Sequence, residues 1–266
     1  MKIHNISVIG KLFLRNGRVL RILSLCLISI FYTSLPFPLL AGHFDSAFEA
    51  YYAKNYKKAF ELFEALAKKG YSEAQFNVGM MYDFGRGVAL NDNKAAYWYR
   101  KAAEQGLSEA QYNLGLMYNE GEGVPKSYTQ AVLWYRKAAE QNDGEAQYKL
   151  SVMYVLGDGV TKNYTKAIHW ARSSASLGNP DAQLHLGNLY KKRGNVPGNN
   201  AKAYAWYRVA ASQGYESAND NKKLMVTRMT LSEIAQANEL AVKYWEKFVE
   251  PFQTESYFRR EKLLPP

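Results

Sequence analysis

The segment EAQYNLGLMYNEGEGVPKSYTQAVLWYRKAAEQN, residues 109–142, contains one nearly complete unit of the repeat that decides the fold. Closely similar segments precede and follow it at steps of 36 residues. Four residue types return at this step in at least four copies, which predicts an array of identical structural units. The recurring residues are Ala74, Ala110, Ala146, Ala182 and Ala218; Gln75, Gln111, Gln147 and Gln183; Tyr82, Tyr118, Tyr154 and Tyr190; and Trp98, Trp134, Trp170 and Trp206.

The first half of the unit has the spacing of an amphipathic helix. Ala110, Leu114 and Tyr118 recur every four positions, so they share one helical face. Gly115 lies beside that face, where its missing side chain allows a second helix to approach closely. The sequence therefore predicts that this helix packs tightly against a neighbour.

A glycine-rich turn and a second helix complete the unit. The turn EGEGVP, residues 120–125, supplies glycines for a left-handed helix cap and a proline that cannot continue the helix. The second helix is predicted from about Tyr128 to Gln141, with its apolar residues at three and four spacing. Its end is marked by Asn142, and other copies have glycine there: Gly106, Gly178 and Gly214.

The unit resembles the Sel-one-like repeat, a relative of the tetratricopeptide repeat, nearly position by position in four copies from Glu73 to about Gly214. The resemblance implies an all-α, right-handed α-solenoid of about five helix-turn-helix units that binds proteins. The predicted units are residues 44–72, 73–108, 109–144, 145–180 and 181–217. The first has a turn shortened to Ala53–Asn55, and the last replaces the glycine-rich turn by KKRGNVPGNN, residues 191–200.

A different pattern follows the repeats. Residues 218–248 are predicted to cap the solenoid, because its last apolar face needs a cover. Within them, residues 229–248 read as a helix with Thr230 or Ser232 as the N-cap. The tail, residues 249–266, is expected to be frayed.

The first 41 residues have the order of a secretory signal: a basic stretch, an apolar run and a small residue. We expect cleavage after Ala41. The alternative is an uncleaved anchor, since residues 22–41 are long enough to span a bilayer. Either reading places the chain outside the cytoplasm, in the periplasm, secreted or held at the inner membrane, with a bacterial host favoured.

Charge and cysteine content narrow the function. Half of the formal charge of +10 lies in residues 1–41, so the remainder is ordinary for a protein that does not bind nucleic acid. The single cysteine, Cys26, also lies in the leader, which leaves no thiol for disulfides, zinc or nucleophilic catalysis.

Candidate catalytic and ligand residues are better explained by structure. The turns GRGV, GEGV and GDGV lack the strand and the Lys-Ser or Lys-Thr pair of a phosphate loop. His43, His169 and His185 have no metal-ligand spacing. Glu73, Glu109, Glu145 and Asp181 recur as first-turn charges that favour the helix dipole. The four tryptophans that recur at the 36-residue step occupy the core register. We therefore expect no catalytic site, no metal and no cofactor.

A partner is expected on the inner side of the solenoid, which the first helix of each unit generally lines. Helical geometry places three positions per first helix away from the core. These predicted partner-binding residues are Asn77, Met80 and Phe84; Asn113, Leu116 and Glu120; Lys149, Val152 and Leu156; and His185, Asn188 and Lys192.

The resulting prediction is an exported, monomeric scaffold that binds protein or peptide partners on this concave face. One alternative is an enzyme, because some cysteine-rich relatives bind or hydrolyse β-lactams. This chain lacks both their disulfides and any SxxK motif. Another alternative is a cell-envelope structural protein that contacts peptidoglycan.

Overall fold

The computed structural model describes residues 38–192 and 199–252, and within these ranges all regular structure is helical. The predicted leader up to residue 37, residues 193–198 of the irregular turn and residues 253–266 of the tail lie outside the described residues. A compact unit begins at His43. The helices are α1 (Pro38–Tyr52), α2 (Tyr56–Lys68), α3 (Ser72–Phe84), α4 (Asp92–Glu104), α5 (Ser108–Glu120), α6 (Tyr128–Glu140), α7 (Gly144–Leu156), α8 (Tyr164–Ser176), α9 (Pro180–Lys192), α10 (Asn199–Ser212), α11 (Glu216–Val226) and α12 (Leu231–Phe248), followed by a 3-10 helix, Glu250–Phe252.

Consecutive helices pack against each other from α2 to α11, most extensively within the pairs α3/α4, α5/α6, α7/α8 and α9/α10. Each pair is one 36-residue unit, numbered 2 to 5 here, and α1 and α2 form unit 1. The predicted α-solenoid of about five helix pairs is confirmed. None of the described helices is both long and apolar enough to cross a membrane.

The helix ends follow the capping chemistry in the sequence. Helix α5 ends at Gly121, whose φ of 82° is left-handed and whose N–H donates to the Met117 carbonyl. Helix α6 begins after Ser127, whose hydroxyl accepts from the Gln130 N–H, and ends before Asn142, which has a φ of 65°. These turns fix the direction in which each helix leaves its predecessor.

The two helices of a unit approach closely at one glycine. A Cβ on Gly115 would lie 2.7 Å from Cδ1 of Tyr135, so the tyrosine ring fills the space that the glycine leaves. Unit 4 has Ser151 and Ala171 at the two equivalent positions. There the Ser151 hydroxyl donates to the Ala167 carbonyl at 2.7 Å. The small-residue approach predicted at Gly115 is thus confirmed.

The tryptophans are less uniform than the repeat predicts. Trp134 and Trp206 are buried, but Trp98 and Trp170 are only half-buried. The four residues hold the same position in the repeat, so their burial differs because different neighbouring groups cover their rings. Trp206 has an extra neighbour, α12, which stacks on its ring.

The solenoid ends because α11 cannot accept a partner helix in the usual way. Lys222 and Lys223 occupy the positions that hold Leu114 and Gly115 in unit 3. Helix α12 accordingly packs against α10 instead of α11. It begins with a capping box between Thr230 and Glu233.

The start of the predicted tail differs from the expectation of fraying. Val249 is buried, and Glu250–Phe252 form a 3-10 helix directly after α12. Burial of this apolar residue extends the contact between α12 and the repeats.

Candidate binding groove

The first helices of units 2 to 5 carry the twelve predicted partner-binding residues, which we call the first-helix row. Eleven are at least partly accessible, and the exception is Leu116, which is 2% exposed. The accessible members are Asn77, Met80 and Phe84 on α3; Asn113 and Glu120 on α5; Lys149, Val152 and Leu156 on α7; and His185, Asn188 and Lys192 on α9.

The amide side chains of the row are held by neighbouring groups. Asn77 Nδ2 donates to the Glu73 carbonyl at 2.7 Å, and Asn113 Nδ2 donates to the equivalent Glu109 carbonyl at 2.8 Å. Asn188 Oδ1 instead accepts from the Tyr207 hydroxyl at 2.9 Å. These contacts fix the amides, so each presents its remaining polar atom in a defined direction.

A pocket of about 280 Å³ is lined by residues of α5, α6, α7 and the turn after α7. Three of its lining residues belong to the first-helix row, and the other five come from the end of α5, from α6, from α7 and from the turn after α7. The lining residues are Asn119, Tyr128, Tyr135, Lys149, Val152, Met153, Leu156 and Asp158.

The pocket combines apolar walls with two opposite charges. Val152, Met153 and Leu156 supply aliphatic surface, and Leu156 is 59% exposed. Lys149 and Asp158 add an ammonium and a carboxylate. Small-molecule sites usually occupy roughly 300 to 1,000 Å³, so this smaller volume suits one bulky side chain of a larger ligand.

An acidic edge lies at the first turns of α7 and α9. Burial raises the pKa of the Asp143 carboxyl, and burial together with the nearby Asp181 raises that of Glu145. Asn179 Nδ2 donates to Glu145 at 2.8 Å, and the Tyr215 hydroxyl donates to Asp181 at 3.0 Å. The first-turn placement of Glu145 and Asp181 agrees with the sequence prediction, and Asp143 is the N-cap residue of α7.

His185 is a packed member of the row. Its ring lies edge-on to Tyr148, 5.6 Å between centroids, and its Nε2 is buried without a hydrogen-bond partner. Burial lowers the pKa of this imidazole to about 4, so it is neutral at physiological pH. Among the residues that the structure describes, no group of three or more His, Cys, Asp or Glu could hold a metal ion.

Five consecutive segments of the chain match the Sel1 repeat: residues 49–71, 72–107, 108–143, 144–179 and 180–215. The chain belongs to the Sel1 repeat family. Proteins built from Sel1 repeats generally mediate contacts between proteins. Among curated proteins, none matches the chain.

Two solved Sel1-type structures are similar to this Sel1 repeat protein. A Sel1 repeat protein from Oxalobacter formigenes is 34% identical with a TM-score of 0.66, over 77% of this chain and 83% of that one. The second is c5321, a protective antigen of uropathogenic Escherichia coli with an SLR fold. It is 28% identical with a TM-score of 0.53, and the match covers 85% of this chain but only 56% of that protein.

Sequence reasoning missed most of the pocket because it followed a single helical face. Tyr128 and Tyr135 belong to the second helix of unit 3, and Asp158 lies in the turn after α7. The repeat predicts each of these positions separately. Only the packing of consecutive units brings them together with Lys149 and Leu156.

Proposed function

We propose that this Sel1 repeat protein is a scaffold that captures an extended segment of a partner protein along its first-helix row, without catalysing a reaction. The row lies on the inner, concave side of the solenoid in this proposal. The chain acts as a monomer, since one solenoid presents the whole row.

The observation that carries this proposal is the pocket lined by α5, α6 and α7. It brings Lys149, Val152 and Leu156 of the row together with two tyrosines and Asp158. Leu156 is a large aliphatic side chain that stays 59% exposed beside it. Aliphatic surface beside a few polar and charged groups can anchor a single side chain of a partner.

We further propose that the protein is exported. The support is the order of residues 1–41, basic, then apolar, then small. The measurement is fractionation of cells that express the full chain, with the N-terminus of the recovered protein sequenced. A mature N-terminus at Gly42 in the envelope or medium agrees with export, and an intact chain in the cytoplasm contradicts it.

The binding proposal is tested by selecting linear peptides from a display library on the immobilised protein. Enriched peptides are then titrated by fluorescence anisotropy against the protein and against V152D/L156D. We expect this variant to bind at least about tenfold more weakly, a loss of about 1.4 kcal/mol.

The matched control is L90D, which changes another leucine that is 59% exposed, in the turn between α3 and α4. It should bind the selected peptides as the unchanged protein does. If the selected peptides bind V152D/L156D with unchanged affinity, the pocket is not their site and the proposal fails.

A further inference from the structure

The pocket lies at the boundary of units 3 and 4, and three positions around it recur from one unit boundary to the next. They are the residue two before the second helix, the first residue of that helix and the last residue of the next first helix. At the boundary of units 3 and 4, Tyr128 and Leu156 line the pocket, and the Lys126 ammonium lies 4.9 Å from the Tyr128 ring centroid. In chain order, these boundary positions hold Lys54, Tyr56 and Phe84; Leu90, Asp92 and Glu120; Lys126, Tyr128 and Leu156; and Lys162, Tyr164 and Lys192.

The boundary of units 4 and 5 brings two ammonium groups to one tyrosine. Lys162 Nζ lies 5.7 Å and Lys192 Nζ 5.3 Å from the Tyr164 ring centroid. Contact with the Lys192 ammonium, together with the charge of Lys162, lowers the pKa of the Tyr164 hydroxyl. Both lysines are exposed, and no carboxylate of the described residues pairs with either of them. This boundary therefore presents a positively charged surface to solvent.

This basic site lies one unit beyond the pocket. Tyr148 of α7 and His185 of α9 contact each other, 5.6 Å between ring centroids, so the first helices of units 4 and 5 are neighbours. The axes of neighbouring helices are roughly 8 to 10 Å apart, and an extended peptide advances about 3.3 Å per residue. A peptide with an apolar side chain in the pocket thus places its third or fourth residue from there at Lys162 and Lys192.

The boundary on the other side of the pocket, between units 2 and 3, has the opposite charge. Asp92 and Glu120 stand where the boundary of units 4 and 5 has Tyr164 and Lys192. Glu122, in the turn after α5, adds a third acidic group. An acidic residue of a partner is repelled at this boundary and attracted at the other. The charges therefore favour one direction of a bound segment along the groove.

We infer that Lys162, Tyr164 and Lys192 bind an Asp or Glu side chain of the partner segment whose apolar residue occupies the pocket. The inference rests on the proposed function, because it extends the same groove by one unit. The two ammonium groups pair with the carboxylate, and the Tyr164 hydroxyl donates a hydrogen bond to it. The partner segment thus carries a large apolar residue with an acidic residue three or four positions away.

The probe is a display library of random twelve-residue peptides, selected in parallel on the immobilised full chain and on K162E/K192E. We expect the full chain to enrich peptides with Asp or Glu three or four residues from a large apolar residue, always on the same side. Selection on K162E/K192E should show no such acidic preference.

One enriched peptide, and a counterpart with its acid changed to the amide, are then titrated against both proteins at physiological salt. The change in the peptide and the change in the protein should each weaken binding about tenfold. The two changes together should weaken binding little more than either alone, because both remove the same contact.

The matched control is K58E/K243E, which makes the same change in net charge at two other exposed lysines, on α2 and α12. It should bind the acidic peptide as the unchanged chain does, because salt screens charges more than about 8 Å away. Circular dichroism of K162E/K192E should match that of the unchanged chain, since both lysines are exposed. Equal weakening by K58E/K243E would overturn the inference, because it would indicate attraction by net charge alone.

The remaining outcomes separate this inference from the pocket itself. If K162E/K192E binds the acidic peptide with unchanged affinity but V152D/L156D does not bind it, the basic site is rejected and the pocket stands. If only K162E/K192E loses the peptide, the basic site stands and the pocket is rejected. A selection that enriches no peptide on the full chain overturns both proposals.

Discussion

At the scale of single residues, the close approach of the two helices is achieved in two ways. Units 2, 3 and 5 pair a glycine with a tyrosine, whereas unit 4 pairs Ser151 with Ala171. Tyr135 fits because Gly115 has no Cβ, and a Cβ there would lie 2.7 Å from the ring. The serine in unit 4 is therefore tolerated because the ring opposite it is missing.

This pairing predicts a coupled effect of two substitutions. Gly115→Ser should destabilise the protein by roughly 2 to 4 kcal/mol, since overpacking forces neighbouring groups to shift. The double variant Gly115→Ser/Tyr135→Ala should be destabilised by less than the sum of the two single variants, by about 1 kcal/mol or more. Urea unfolding of the unchanged protein, the two single variants and the double variant measures this coupling. The control is Gly115→Ser combined with the distant Tyr207→Ala, whose effects on the free energy of unfolding should simply add. Additive effects of Gly115→Ser and Tyr135→Ala would contradict the explanation.

A second residue-scale prediction concerns the glutamine ladder. Gln105 donates to Gln75 at 2.7 Å and Gln141 donates to Gln111 at 2.8 Å, but Leu177 interrupts the series at Gln147. Leu177→Gln should satisfy Gln147 Oε1 and stabilise the protein by about 1 kcal/mol. Leu177→Ala supplies no donor and should not stabilise it. Equal unfolding midpoints for both variants would show that the unpaired Gln147 Oε1 does not limit the stability of the protein.

His185 links stability to pH. Its pKa in the folded chain is about 4, below its ordinary value of 6.5, so the unfolded state binds the proton more readily. The free energy of unfolding should thus be lowered as pH falls from 6.5 to 4, by roughly 2 to 4 kcal/mol. The raised pKa values of Asp143 and Glu145 act in the opposite direction. His185→Gln should remove the loss, and an unchanged pH profile of unfolding for this variant would refute the assignment.

At the scale of elements, α12 is the helix whose position depends least on the repeat. Its start was predictable, because Thr230 is an N-cap type and Glu233 follows three residues later, the signature of a capping box. Thr230→Ala should destabilise the chain by about 1 kcal/mol, and Ser232→Ala, at a position that does not cap, should change stability less. Thermal unfolding followed by circular dichroism would report both changes, and equal effects would contradict the role of the cap.

The same helix shows where sequence reasoning stops. The 36-residue period predicted an array of helix pairs, because Ala110 has an equivalent alanine in units 2, 4 and 5, and the resemblance to the Sel-one-like repeat implied the solenoid. Whether α12 follows α11 or folds back on α10 depends on Lys222 and Lys223 in the core positions of α11, whose meaning is clear only once a packed unit is known. The same helical geometry predicted the positions of the first-helix row. It could not predict the pocket, because the residues that line the pocket come from two units and a turn.

At the scale of the whole molecule, consecutive units are joined through the glycine turns. A Cβ on Gly123, in the turn of unit 3, would lie 2.1 Å from the Asp92 carbonyl oxygen at the start of the second helix of unit 2. Gly87 and Gly159 make the same close approach one unit before and after. These contacts cross unit boundaries, so they belong to the interface energy that makes a linear array unfold as one body.

Gly123→Ala should therefore weaken the coupling between units 2 and 3 as well as lower stability. The residue also has a φ of 64°, so alanine adds backbone strain, of order 1 kcal/mol, to the clash. Gly106→Ala is the control, because Gly106 also has a positive φ, 96°, but has no atom within 4 Å of the added Cβ. We expect two unfolding transitions in calorimetry for Gly123→Ala and one for Gly106→Ala. A single transition in both would show that backbone strain alone, and not the contact between units, accounts for the loss.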